Sequence, residues 1–234
     1  MSRLLDPKAT EQEESHWLSV SDLMAGLMMV FLFISIALMR DAFVERDKIK
    51  EVAVAYQENQ VAIYDALMAE FENDLKRWDA VIDPNSLTFT FQSPEVLFAQ
   101  GKIELSERYR DLLSEFFPRY INVLNKFAGS INEVRIEGHT SSIWNSHAND
   151  TEAYFKNMEL SQGRTRSVLA YVYDLPASQE YRHWIKQHFA AVGLSSSQPV
   201  LDKFGIEDRE RSRRVTFRVI TNAEIQMRQI LELN

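Results

Sequence analysis

The 234-residue chain has no cysteine, so disulfides and thiolate chemistry are excluded and either redox compartment stays open. It also lacks a basic patch. Lys and Arg number 26 against 34 Asp and Glu, a net charge of −8, and nucleic-acid binding rests on gathered cations that neutralise phosphates. No nucleic-acid partner is expected. The five histidines, His16, His139, His147, His183 and His188, form no HExxH pair, and no GxSxG nucleophile motif is present. We therefore expect no catalytic residue, no metal and no cofactor. Glycine and proline are scarce, at 7 and 6, and neither occurs between residues 40 and 82. There are no repeats and no low-complexity segment.

What is present is one long apolar run, Trp17 to Met39, about long enough to cross a bilayer as a single helix. Its apolar part exceeds a usual signal-peptide core and its leader is acidic, so it is expected to stay as an anchor. Asp22 is its one ionisable residue. An ionised carboxylate in hydrocarbon costs at least ~2.5–3.5 kcal/mol and is tolerated mainly where it faces protein or water. Such a group can alternate between protonated and ionised forms and so carry a proton. The alternative is an interfacial acid that caps the helix or reaches headgroup water near Trp17. Arg40, Arg46, Lys48 and Lys50 follow the span, and by the positive-inside rule they favour a cytoplasmic C-terminal side.

Beyond the span, Ile49, Val52, Tyr56, Ile63, Leu67, Phe71, Leu75 and Trp78 recur at helical spacing. One helix is expected from 40 to about 82, pairing with a second copy or packing on its own domain. Asp83-Pro84-Asn85 ends it. Leu87, Phe89 and Phe91 then alternate as a strand. A helix starts near Ser106, with Pro118 placed to kink or end it. Asn132–Glu137 reads as a second strand running into Gly138-His139-Thr140, followed by a polar loop to about Lys156. Helices are expected from Leu160 to Tyr173 and from Tyr181 to Val192. Arg214–Ile220 is a strand, and Ala223–Leu233 a terminal helix. The fold class is α+β, with helices on one face of a small mixed sheet.

Four motifs, in order, carry a resemblance: Val96-Leu97-Phe98 with Leu105-Ser106; Ile136-Glu137-Gly138-His139-Thr140; Asn157-Met158-Glu159-Leu160-Ser161-Gln162-Gly163-Arg164; and Arg213-Arg214-Val215-Thr216-Phe217. Residues 86–220 resemble the OmpA-like peptidoglycan-binding domain. The resemblance implies wall binding by Gly138, His139, Thr140, Asn157, Leu160, Ser161, Arg164 and Arg213. Arg164 would pair with the carboxylate of diaminopimelate, and an acid would receive its ammonium. That acid normally follows the Gly-His-Thr motif, where this chain has Ser141. Asp150 or Glu152 is the expected substitute; otherwise affinity is weak.

Trp17 to Met24 followed by an apolar span resembles the B subunit of MotA/MotB-type ion-driven motors, more closely that of the Zorya anti-phage defence system than the flagellar stator. The resemblance implies a peptidoglycan-anchored, non-enzymatic B subunit with Asp22 as proton carrier and Ser19 and Ser21 beside the ion path. It implies a homodimer inside a ring of MotA-like A subunits, pentameric by the same resemblance, in a lipid bilayer. The expected division is residues 1–16 cytoplasmic tail, 17–39 transmembrane helix, 40–84 periplasmic helical linker and 85–234 OmpA-like domain. Wall binding requires the C-terminal part outside the inner membrane, overruling the charge count. A static membrane-to-wall anchor is the rival expectation.

Overall fold

A computed structural model of the protein describes the backbone of residues 7–92 and 97–232, with side chains over 20–92 and 97–230. The chain divides into two units, residues 1–51 and 52–234. Helix α1 (Pro7–Leu75) supplies the described residues of the first unit and opens the second. It contains an 18-residue window of mean hydropathy 2.2, none of it buried. Leu23 and Met28 are each 73% exposed and Phe33 is 67% exposed. By length and composition, α1 is long and apolar enough to cross a membrane.

The second unit is an α+β domain. After α1 come β1 (Ala80–Asp83), β2 (Thr88–Phe91), α2 (Glu107–Asn125), β3 (Ile131–His139), α3 (Asp150–Asp174), a 3-10 turn (Pro176–Tyr181), α4 (Arg182–His188), β4 (Phe189–Ser195), α5 (Arg209–Ser212), β5 (Arg214–Thr221) and α6 (Asn222–Glu232). The strands form one sheet in the order β1-β2-β5-β3-β4. Among the described strands only β3 and β4 run parallel. A parallel pair needs a long crossover, and α3 with the short helical segments after it provides that connection.

Helix packing follows the period of two along the strands. Phe89 and Phe91 of β2, Phe217 of β5 and Ile136 of β3 turn to one face and are fully buried. Phe116 of α2 contacts Phe89, Phe91 and Phe217 at ring-centroid distances of 4.7, 5.2 and 5.2 Å. Phe71 of α1 joins the same cluster, 5.5 Å from Phe89 and 5.3 Å from Phe116. Ser106 accepts a hydrogen bond from the Tyr109 N–H and starts α2, as its side chain predicts. The helix continues through Pro118 to Asn125. Burial of Phe116, Phe117, Tyr120 and Ile121 around the proline offsets the ~3 kcal/mol that an interior proline costs.

Three expectations are corrected. Helix α1 ends at Leu75 rather than near 82, because Asp79 takes a left-handed φ of 47° and Ala80–Asp83 leaves the turn to pair with β2. The helix expected to reach Val192 stops at His188, and Phe189–Ser195 is edge strand β4. Helix α3 begins at Asp150, capped by Asn149, within the segment read as loop. The stripe on α1 packs on its own domain at its C-terminal end, where Ile63, Leu67 and Phe71 are fully buried.

Candidate functional site

At the C-terminal end of β3, helix α3 lies against the sheet. A Cβ on Gly138 would stand 2.8 Å from the Ser161 carbonyl oxygen, and one on Gly193 would stand 2.5 Å from the Gln162 nitrogen. The missing side chains allow this close approach. Gln162 then bridges to β4, accepting from the Gly193 N–H at 2.7 Å and donating to the Ala191 carbonyl at 3.1 Å. Ser161 accepts from the Ser195 N–H at 3.2 Å. Both residues fix the helix to the sheet.

Beside this junction opens a cavity of about 610 Å³, lined in part by Thr140, Ser141, Asn157, Leu160, Arg164 and Arg213. Asn157 holds the wall by donating to the Ser141 carbonyl at 3.1 Å. Arg164 is 9% exposed. Its Nε donates to the Lys102 carbonyl at 2.9 Å and its Nη2 to the Ala99 carbonyl at 3.3 Å. The Phe98 ring lies 4.8 Å beneath the guanidinium. Burial, and then the charge of Arg213, lower the Arg164 pKa to about 10. The group stays cationic at neutral pH, held by main-chain acceptors and able to pair with an anion.

Five of the eight wall-binding candidates therefore meet at this cavity: Thr140, Asn157, Leu160, Arg164 and Arg213. Gly138 and Ser161 belong to the helix–sheet junction. His139 points to the opposite face of the sheet, because successive strand residues alternate. There it lines a second, polar cavity of about 270 Å³ with Glu137, Arg214, Thr216 and Arg218. Its Nε2 lies 3.7 Å from Glu137 Oε2, an electrostatic contact longer than a hydrogen bond. Burial pushes the His139 imidazole below its ordinary pKa, with Glu137 opposing and Arg214 adding to the effect.

The structure does not bring Asp150 or Glu152 to the cavity. Asp150 opens α3 and is exposed, Glu152 pairs with Lys156 at 2.7 Å, and neither lines the wall. The carboxylate that reaches the motif loop is Glu207, which accepts from the Ser142 N–H at 2.9 Å and from the Ser142 hydroxyl. Sequence reasoning missed Glu207, and it also missed Trp144, a cavity-lining residue. An aromatic inside an otherwise polar loop is the signal that could have singled out Trp144. In the first unit, Ser21 and Asp22 are exposed on α1, while the Ser19 side chain and Val96 lie outside the described residues. Among the described residues no cluster of His, Asp and Glu could hold a metal ion.

The chain is 56% identical over 222 residues to the Zorya protein ZorB of Escherichia coli strain Crooks, a match covering 95% of this chain and 94% of that one. The chain belongs to the ZorB family. No family model matches the sequence. Among solved structures, this ZorB family member is similar to a MotB-like protein from Desulfovibrio vulgaris, at 25% identity and a TM-score of 0.47 over 73% of this chain and 94% of that one. It is also similar to the periplasmic domain of Helicobacter pylori MotB, at 15% identity and a TM-score of 0.42 over 62% and 83% of the two chains.

Proposed function

We propose that the protein is the wall-anchored B subunit of a proton-driven rotary motor of the inner membrane, serving anti-phage defence. The observation that carries this reading is the cavity with buried Arg164, placed in a ZorB family chain that also holds a membrane-length apolar run with one acid, Asp22. Residues 1–16 would lie in the cytoplasm, 17–39 in the bilayer and 40–234 in the periplasm. Residues 40–84 are read as the linker, whose last helical turns and β1 pack into the sheet domain, and 85–234 as the rest of the OmpA-like domain.

On this reading the domain clamps peptidoglycan. Arg164 pairs with a carboxylate of the wall peptide, Arg213 adds positive potential, Thr140, Asn157 and Leu160 shape the cleft, and Gly138 and Ser161 hold its back. His139 supports the sheet from the other face. Two copies pair through their spans within a ring of MotA-like subunits, pentameric by resemblance. Protonation removes the charge of Asp22 and weakens its attraction to groups on that ring; deprotonation restores it, with Ser19 and Ser21 beside the path. A potential of 100 mV supplies ~2.3 kcal/mol per proton, enough to bias steps of the ring around a dimer held by the wall. The role is mechanical, not enzymatic.

The anchoring half is tested by sedimenting the full-length detergent-solubilised protein with purified wall sacculi. Arg164→Ala should lower the bound fraction about 10-fold or more, because truncating one partner of a buried charge pair costs ~2–5 kcal/mol. Unchanged co-sedimentation of a folded Arg164→Ala variant contradicts it.

A further inference from the structure

The face of the sheet that turns away from α3 gathers charge. Residues two apart on a strand share a face, so Glu137 and His139 of β3 stand beside Arg214, Thr216 and Arg218 of β5, around the second cavity of about 270 Å³. Every residue lining it is polar. The antiparallel register sets His139 opposite Arg214 and Glu137 opposite Thr216, the spacing at which side chains on one face interact. Glu137, His139 and Thr216 are buried. The His139 Nε2 faces Glu137, and its Nδ1 is buried with no hydrogen-bond partner. Arg214 donates from Nη1 to the Ser212 carbonyl and from Nη2 to the Gln198 carbonyl, each at 3.2 Å. A guanidinium has further N–H donors to offer, and among the described residues no carboxylate forms an ion pair with Arg214.

The charges around His139 balance while its ring is neutral. Arg214 and Glu137 offset one another across the strand pair. Arg218 is held by Glu224 of α6 at 2.9 Å, and Asp83 at the end of β1 is exposed and accepts from the Asn85 N–H. Strand β2 adds the uncharged Thr88 and Thr90, and the segment after β4 adds Gln198. A proton on His139 therefore leaves one uncompensated positive charge inside the cavity, beside a guanidinium with donors to spare. We propose that this cavity is a proton-linked site for a small tetrahedral oxyanion of the phosphate class: Arg214 binds the anion, and His139 must be protonated for it to stay. Glu137 makes the proton a requirement, because its carboxylate repels the anion until the imidazolium offsets it. The site does not involve Arg164 and does not rest on the wall-binding reading.

The test is calorimetric titration of the full-length protein in detergent with potassium sulfate, whose own charge does not change near neutral pH. Burial, opposed by Glu137 and joined by Arg214, keeps the imidazole pKa below the ordinary ~6.5, so sulfate has to draw a proton onto the ring. Uptake of one proton makes affinity rise by about 10-fold as pH falls from 7.5 to 6.5, and the binding heat then varies with the ionisation enthalpy of the buffer. Sulfate held by Arg164 and Arg213 instead gives no such slope, because guanidiniums do not titrate in this range. A folded His139→Gln variant should lose the slope, and a folded Arg214→Gln variant should lose the pH-dependent binding. A wild type that binds no sulfate, or binds it equally at both pH values, overturns the proposal, and this reading stands even where a variant does not fold. So does either folded variant with the slope of wild type. Inorganic phosphate and glycerol phosphate, compared at one pH, separate two sources of the same chemistry. Equal affinities support the site as one for a phosphate ester, and weaker binding of the ester supports it as one for the inorganic ion.

Discussion

Thr140 and His139 are adjacent, yet they serve opposite faces of the sheet. The period-two pattern of Asn132–Glu137 is visible in the sequence, and extending it by two residues turns His139 away from Gly138 and Thr140. What the pattern alone does not say is which face the helices cover; that is fixed by Ser161 and Gln162, which pack against Gly138 and Gly193. The placement of His139 carries a pH prediction. Burial holds its folded-state pKa below the ordinary ~6.5, so the unfolded chain binds the proton more readily and acid favours unfolding. Its stability contribution is complete above about pH 6.5 and declines as pH falls toward the folded value. Glu137 acts in the same direction at lower pH. Burial would raise its carboxyl pKa, but His139 and Arg218 outweigh that and leave it lowered. Its contribution is present above the ordinary carboxylate range and lost as pH falls through the folded value. Thermal melts of the full chain should therefore show Tm falling from pH 7 to pH 5.5, with a flatter profile in His139→Gln. Parallel profiles for the two proteins contradict this account of the buried imidazole.

Among the elements, helix α1 was legible as an apolar run followed by a helical stripe. Its end was not, because Trp78, Ala80 and Ile82 continue to offer apolar residues while the backbone reverses at Asp79. Strand β4 was hidden for a different reason. Gly193 is small because α3 crosses it closely, and the run of Ala190, Ala191 and Gly193 leaves no hydrophobic alternation to read. Proline at 118 pointed to a break that core packing overrides. The C-terminal end of α1 is a structural part of the domain, as its partners make plain. Arg119 of α2 binds Glu70 and Asp74 at 2.7 Å each and lies 4.8 Å over the Phe71 ring. Phe71→Ala should destabilise the domain by about 3–5 kcal/mol, the range for emptying a buried phenylalanine site. Chemical denaturation of the full-length protein measures it, and a loss below about 1 kcal/mol contradicts the claim that this turn of α1 is core.

For the whole molecule, motif order exposed what composition could not. The Gly-His-Thr, Asn-x-x-Leu-Ser-x-x-Arg and Arg-Arg-Val segments lie far apart in sequence, and the fold gathers Thr140, Asn157, Leu160, Arg164 and Arg213 at one cavity. Glu207 escaped notice because its bond to Ser142 depends on a hairpin closing back across 65 residues, which no local pattern encodes. The central claim joins this cavity to Asp22: an anchored domain and a proton-carrying span in one chain. Its most direct test is phage protection in cells that also carry the partner genes, comparing wild type with Asp22→Asn at equal membrane levels and equal complex assembly. The account predicts that Asp22→Asn assembles normally and loses protection. Full protection by Asp22→Asn contradicts proton carriage and leaves Asp22 an interfacial acid on a static anchor.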